Sequence, residues 1–483
     1  MPNLYSIANS KNTPTITNSR VGQMANSLFA FGDFDYKKFI SLSWAMRNDW
    51  FSTLPKNNNS LLSPSLGTSF IFSEFTKNSL SWLSFGKVFA SWGKKPVALN
   101  PYDLNMNYTV NPLLWGTNFL MTTPDETPDP NLKGALVTTW ETGLDLRFAK
   151  NRVGLALTYF FEDSKDVPLR VTTSGVSGFT SQIINAAWIQ RQGIEAELNA
   201  AIIKKKNISW SANGTFTYLI DNPVKALAPG LNSIVLSGGS FGTRFARAFH
   251  IVGKQWGTLM GGGIRRNAAG QPLITDNGFS GGLGWYAQGD PDKEWGSVVP
   301  KITGGLQNFV TYKNFTLAAT IDYQFGGKFF SLSEQWGNFS GLLANTAGLN
   351  DKGNPLRDPV SAGGGVRVVG VDAADGRTPV DIYVDAYDYF HQFYYQRIAE
   401  PFVHSLSAIK VRELSLGYIV PVQKLGKFGQ AFQGAVISLT ARNPFILYRE
   451  TKNFDPTEIS GVFGEDGQLP GTRSFGFNLK LNF

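Results

Sequence analysis

The chain has 483 residues, 42% hydrophobic and 13% aromatic, with 44 Lys+Arg against 36 Asp+Glu for a formal net charge of +8. Having no cysteine, it has no disulfide framework, thiolate metal site or cysteine nucleophile, and no apolar run reaches the roughly 18 residues that a transmembrane helix needs. The positive charge is scattered rather than strung along with stacking aromatics, so it reads as solvated turns and loops, and no nucleic acid is expected as partner.

A mean hydropathy of −0.13 does not exclude a membrane. A barrel strand spans with about 9 to 11 residues, only half of them apolar. Met1 to Asn12 lacks a basic start, an apolar core and a small-residue cleavage site. The expectation is that a signal has been removed or that the chain is part of something larger, with residues 1–20 a lead-in segment.

From there the chain reads as hairpins of one repeated kind. The first runs from Leu28 through a turn at Asp33 to Lys37 and on to Trp50, and the second from Gly67 to Ser91. Next, Trp140, Leu144, Leu146 and Phe148 alternate with Glu141, Gly143, Asp145 and Arg147. A turn at Ala149 to Arg152 leads to Val153, Leu155, Leu157, Tyr159 and Phe161. Ile194, Leu198 and Ile202 then stand against Glu195, Glu197 and Asn199, followed by a turn at Lys204 to Asn207 and a strand through Trp210, Phe216 and Tyr218. Phe315, Leu317, Ile321, Tyr323 and Phe325 follow a turn at Tyr312 to Asn314, and a further hairpin spans Ile409 to Phe445. In the last strand, the barrel-closing one, Phe475, Phe477, Leu479, Leu481 and Phe483 alternate with Gly476, Asn478, Lys480 and Asn482. Bulky apolar residues opposite charges at period two suit a lipid exterior and a wet lumen.

Between the tight turns lie long connections at Lys94 to Leu132, Glu162 to Ala187, Asp221 to Pro300, Gly326 to Ser407 and Leu447 to Gly471. Short turns at one end and long loops at the other predict an all-β, antiparallel transmembrane β-barrel with periplasmic turns and extracellular loops. About thirteen strands are expected over residues 21–483. An odd number cannot close antiparallel, so the chain reads as part of a larger barrel, of about twenty-two strands.

The chemistry of the sequence is sparse. His250, His391 and His404 are the only histidines, and none has ligand spacing with another metal-binding residue. No nucleophile, base and oxyanion donor assemble, so neither an enzyme nor a cofactor or metal site is expected. Asp290 to Glu294 reads as a solvated turn rather than a calcium loop, and the triplets Gly261 to Gly263 and Gly363 to Gly365 read as flexible loop. More informative are the aromatics of the two longest loops: Trp285, Tyr286, Trp295, Trp336, Tyr387, Tyr389, Phe390, Phe393, Tyr394 and Tyr395. Aromatic faces with a polar edge suit substrate contact, an interface with a partner, or packing within the loops.

Six stretches occur in the order and spacing of a known family: Asn131-Leu132-Lys133 leading to Trp140-Glu141-Thr142-Gly143-Leu144-Asp145; Gln192 to Leu198; Val252 to Gly257; Pro300 to Gly305; Ile409 to Tyr418; and Ala441 to Phe445 followed by Phe454-Asp455-Pro456. On these residues the chain resembles the C-terminal half of the SusC/RagA-type TonB-dependent outer-membrane transporters. It departs from them in an insert at Gly134 to Val137 and in Asn443-Pro444-Phe445.

The resemblance implies a bacterial outer-membrane importer of glycan or peptide. It also implies a SusD-like surface lipoprotein as lid, TonB acting through a plug not in this chain, and a polypeptide supplying the remaining N-terminal barrel and plug. Two rivals stay open: a self-contained porin or secretion barrel, and a soluble all-β adhesive or binding module.

Overall fold

The computed structural model describes residues 20–76, 79–236, 245–426, 431–459 and 464–482. All but the end of the lead-in segment 1–20, and the terminal Phe483, lie outside the described residues.

One sheet dominates. Its path runs through thirteen strands, β1 Ala25–Tyr36, β2 Ile40–Phe51, β3 Ser60–Phe70, β4 Leu83–Val97, β5 Ala135–Phe148, β6 Val153–Thr172, β7 Ser181–Lys205, β8 Ile208–Asp221, β9 Pro300–Tyr312, β10 Phe315–Gly326, β11 Ala408–Val420, β12 Gly434–Arg449 and β13 Ser474–Asn482. Successive strands pair antiparallel throughout. Among the described residues, β1 and β13 are each paired on one side only.

The register explains the alternation in the sequence. Leu42, Trp44 and Met46 on β2 stand beside Thr68, Leu66 and Pro64 on β3. The same face continues through Trp92 and Trp140, whose rings are 5.9 Å apart, to Phe161 opposite Trp140, and, further along these strands, through Leu146, Leu155 and Leu198, with Phe216 opposite Ala196. It ends where Leu439 and Ala441 meet Phe477 and Phe475. A one-residue slip anywhere would throw these side chains to the opposite face. They are not covered: Trp140 is 55% exposed, Phe475 79% and Phe477 66%. An uncovered apolar face of this extent across a whole sheet is what a hydrocarbon layer stabilises and water does not.

The other face carries Asp33, Asp49, Lys87, Glu141, Asp145, Glu195, Glu197, Asp322 and Lys410, and there the family motifs find a physical reason. A Cβ on Gly143 would lie 2.2 Å from the Leu157 carbonyl oxygen and 2.8 Å from the Phe89 ring. One on Gly193 would lie 2.7 Å from the Phe160 ring and from the Tyr218 carbonyl. Each glycine is a notch in which an aromatic from the neighbouring strand lies flat on the wet face. Lys87 and Arg191 stand over those two rings, with centroid distances of 5.7 and 5.3 Å.

The connections divide between two ends. At one lie residues 37–39, 71–82, 149–152, 206–207, 313–314 and 421–433. At the other lie 52–59, 98–134, 173–180, 222–299, 327–407 and 450–473. The tightest turns use left-handed backbone, at Ala149, Lys150, Asn151 and Lys313 (φ 49° to 61°).

Three expectations change. The first turn sits at Lys37 and Lys38 (φ 48° and 65°), not at Asp33. Asp33 and Asp35 belong to β1 because they fall on its wet face, and Asp35 accepts a hydrogen bond from Ser41. Glu162 to Ala187 is not a long loop: β6 and β7 stay paired through it, out to Thr172 and Ser181, and are joined by 173–180. At about 3.3 Å per residue, these strands of 20 and 25 residues far outreach a hydrocarbon layer about 30 Å thick. Finally, the glycine triplets are packed rather than flexible. A Cβ on Gly262 would meet the Arg397 carbonyl at 2.0 Å, and one on Gly364 the Asp358 carbonyl at 2.0 Å.

Candidate functional site

The two longest connections fold into one body above the sheet. Residues 222–299 contribute a four-stranded sheet, Ser233–Val235, Ala246–Ile251, Thr258–Gly261 and Lys293–Ser297. A second sheet joins Leu273–Asp276 and Leu283–Tyr286 to Val366–Asp372 and Pro379–Val384. Residues 327–407 add two helices, α1 Leu332–Phe339 and α2 Ala386–Tyr395.

Helix α1 starts where Ser331 Oγ accepts from the Glu334 amide (3.1 Å), the usual service of an N-cap serine. Glu465, 3% exposed, completes the cap from the 450–473 connection. Its carboxylate accepts from the Ser333 amide (3.1 Å) and from the hydroxyls of Ser331 and Ser333 (both 2.7 Å). Helix α2 is held by Asp388, which accepts from Asn277 Nδ2 (2.7 Å) and Ser280 Oγ (2.6 Å).

Below them the Val252 to Gly257 motif fastens the body to the sheet. The Asn222 amide donates to Gln255 Oε1 (3.0 Å) and the Trp256 amide to the Asn222 carbonyl (2.7 Å). The Trp256 ring meets that of His250 edge-on at 5.4 Å. His250 is 2% exposed, its Nδ1 has no partner among the described residues, and burial holds its pKa down to about 4.

Most of the aromatics singled out in the sequence are here, and most serve the interior. Trp285, Phe390 and Phe393 are buried. Tyr286, Trp295, Trp336, Tyr389 and Tyr394 pack against a core of Phe245, Phe330, Leu332, Phe393, Ile398 and Phe402. Only Tyr387 and Tyr395 stay outward, at 59% and 50% exposed. The sequence reading missed Phe279, Phe339 and His391, which join them: Tyr387 and His391 stack at 3.9 Å, His391 and Phe339 lie at 4.2 Å, and Phe279 reaches Tyr387 at 5.3 Å. The i, i+4 spacing of Tyr387 and His391 was the available signal. Nothing local marked Phe279 or Phe339.

These rings wall a cavity of about 750 Å³ with Arg357 and Asp385 on its rim. A second, of about 780 Å³, lies across α2 and is lined by Tyr286, Tyr389, Glu334, His404 and Asn453. There the Glu334 carboxylate is held by His404 Nε2 and Asn453 Nδ2. Burial alone would raise its pKa, but those two contacts outweigh burial and leave it below the ordinary value. Burial, helped by Tyr286, pushes the Tyr389 phenol up.

A third cavity, of about 520 Å³, lies at the mouth of the sheet, where Lys410, 2% exposed, meets Asp455 at 2.6 Å and Glu458 at 3.0 Å. Arg412 joins Glu458 (2.9 Å) to Asp322 (2.7 Å) on β10. Among the described residues no three His, Cys, Asp or Glu side chains are placed to hold a metal ion.

Residues 2–389 match the family model described as "TonB dependent receptor-like, beta-barrel". The chain belongs to that family. It lies in the bacterial outer membrane, and the uncovered face of its sheet is a lipid face.

Similar curated proteins include TonB-dependent receptor P26 of Formosa agariphila, 24% identical over 99% of this chain and 48% of that protein. TonB-dependent receptor SusC of Bacteroides thetaiotaomicron is 24% identical over 94% and 43%. The chain thus spans about half the length of the curated relatives it matches. Among solved structures, the RagAB peptide importer in its closed-closed state superposes with a TM-score of 0.73 at 18% identity. That match covers 100% of this chain and 50% of the other, and it shows a shared fold.

Proposed function

We propose that the protein is the C-terminal barrel portion, residues 21–483, of an active outer-membrane nutrient importer. It takes up glycan or peptide, is driven by TonB through a plug, and is lidded outside by a SusD-like surface lipoprotein. The observation that carries the reading is the family match over residues 2–389, supported by the likeness to SusC over 94% of the chain and by the fold shared with the RagAB peptide importer over both the sheet and the body above it. The half-length coverage, and the two sheet edges left unpaired among the described residues, support a larger barrel whose plug and first strands lie in other residues. No reacting group belongs to this scheme; the protein moves its cargo without chemistry on it.

The test is uptake. In cells carrying the full-length protein, accumulation of labelled oligosaccharide or peptide should vanish when TonB is deleted, and a surface lipoprotein should co-purify with the transporter in detergent. Uptake that follows the external concentration passively, and is the same without TonB, would favour a simple pore and end this reading.

A further inference from the structure

The cavity between α1, α2, the 277–282 turn and residues 340–359 carries a more specific reading, which rests on the importer proposal. Its wall is aromatic and outward: Tyr387 is 59% and Phe279 42% exposed, with His391 stacked on Tyr387 and Phe339 tilted against His391. Its rim holds two opposite charges, each set by its own neighbours. Arg357 Nε donates to the Thr346 carbonyl (2.9 Å), and Nη2 to Thr346 Oγ1 (2.8 Å) and the Gly341 carbonyl. All these acceptors are neutral, and no carboxylate lies within ion-pair distance of Arg357 among the described residues. Asp385 Oδ1 accepts from the Val360 amide (3.2 Å), and no cation is paired with it there.

The guanidinium is therefore oriented and partly free, and so is the carboxylate. None of the residues around the cavity belongs to a β-strand, so an extended peptide would find no backbone edge to pair with. What fits is a ring with an apolar face and a rim of hydroxyls that both accept and donate. The apolar face lies on Tyr387, while Arg357 donates to ring hydroxyls and Asp385 accepts from them. The volume of about 750 Å³ falls in the ordinary range for small-ligand sites.

We infer that this cavity is a sugar subsite, holding a hexopyranose unit of an oligosaccharide outside the membrane. Tyr387 supplies the stacking platform, and Arg357 and Asp385 fix the hydroxyls.

The test uses the full-length transporter purified in detergent from outer membranes. It is titrated calorimetrically with maltoheptaose, laminariheptaose, cellohexaose and trigalacturonate, and separately with a pool of tryptic casein peptides. One of the four sugars should bind. Tyr387→Ala and Arg357→Ala should each weaken it by about tenfold or more, while Tyr387→Phe, which keeps the ring, should cost less than about threefold. Heat-modifiable migration on gels confirms that each variant is folded.

Binding that is the same in Tyr387→Ala and Arg357→Ala, or heat released only by the peptide pool, overturns the subsite. Uptake in cells separates the two proposals. TonB-dependent uptake of peptide alone removes the sugar subsite and leaves the importer, whereas no TonB-dependent uptake of either cargo removes the importer itself.

Discussion

Lys410 Nζ donates to Asp455 Oδ2 across 2.6 Å, joining a side chain on the wet face of β11 to the Phe454-Asp455-Pro456 turn of the last outer connection. Lys410 is 2% exposed, and its second acid, Glu458, is shared with Arg412. The sequence stretches Ile409 to Tyr418 and Phe454 to Pro456 are thus two halves of one latch.

Lys410→Met should release it. Taking the cation from a buried pair strands the acids at a cost of about 3–5 kcal/mol. Partial exposure of Asp455 and Glu458 places the effect near the lower end, about 3 kcal/mol. Residues 450–459 should then become cleavable by added protease while the sheet stays intact; an uncleaved connection in the variant would show that the latch is not what holds it.

The same latch should weaken in acid. Burial would raise the pKa of Asp455, but its bonds from Lys410 and Thr457 prevail and leave it below 3.8. For Glu458, the Lys410 hydrogen bond lowers it below 4.5. Both acids bind protons less readily folded than unfolded. Their contribution is therefore fully present above about pH 4.5 and falls as pH drops through and below 3.8. Hydrogen-exchange protection at 455–458, corrected for the intrinsic rate, should hold from pH 7 to about 5 and then decline.

His250 sets a second, milder pH dependence in the outer body. Its pKa is about 4 folded against 6.5 as reference, so the unfolded loop takes up the proton first. Stability is at its plateau above pH 6.5, declines as pH falls below it, and has lost on the order of 3 kcal/mol by about pH 4, at about 1.4 per pH unit. His250→Phe should flatten thermal melts of the outer body between pH 6.5 and 4. An unchanged slope would mean that another group titrates.

Gly193→Ala should impair the sheet although its backbone is unstrained. The added methyl would lie 2.7 Å from both the Phe160 ring and the Tyr218 carbonyl. Overpacking of this kind costs about 1–3 kcal/mol. Pairing it with Phe160→Ala should recover only the part due to the ring, since the carbonyl stays. A lower urea midpoint in refolding from detergent measures both.

Phe393→Ala should loosen the outer body alone. Phe393 is 5% exposed and packs on Phe402 and Tyr286. Its loss should cost about 3–5 kcal/mol of local stability. Added protease should cut within 327–407 while heat-modifiable migration of the barrel persists.

The sheet was legible because each strand carries its own two-faced pattern. Phe475, Phe477, Leu479 and Leu481 announce a lipid face whatever lies beside them, and the register then aligns them with Ala441, Leu439, Ile437 and Ala435. The body above was not legible in this way. Its aromatics were visible as a group, but Trp285 and Tyr387 look equally available in sequence, and one is 5% exposed and the other 59%. The glycine triplets looked flexible for the same reason: only the carbonyls of Arg397 and Asp358, far away or across a turn, reveal how closely they are packed.

By itself the sequence determined the all-β class, the two faces of the strands through Trp140, Leu155, Leu198, Phe216, Leu317 and Phe477, and the ends at which most short turns and long connections gather, because period-two alternation and turn chemistry are local. Tertiary structure decided which aromatics became core and which wall a cavity. It also brought Arg357 and Asp385 to one rim and closed the Lys410 latch. Those outcomes depend on contacts between segments far apart in the chain, and burial and charge pairing exist only once those segments meet.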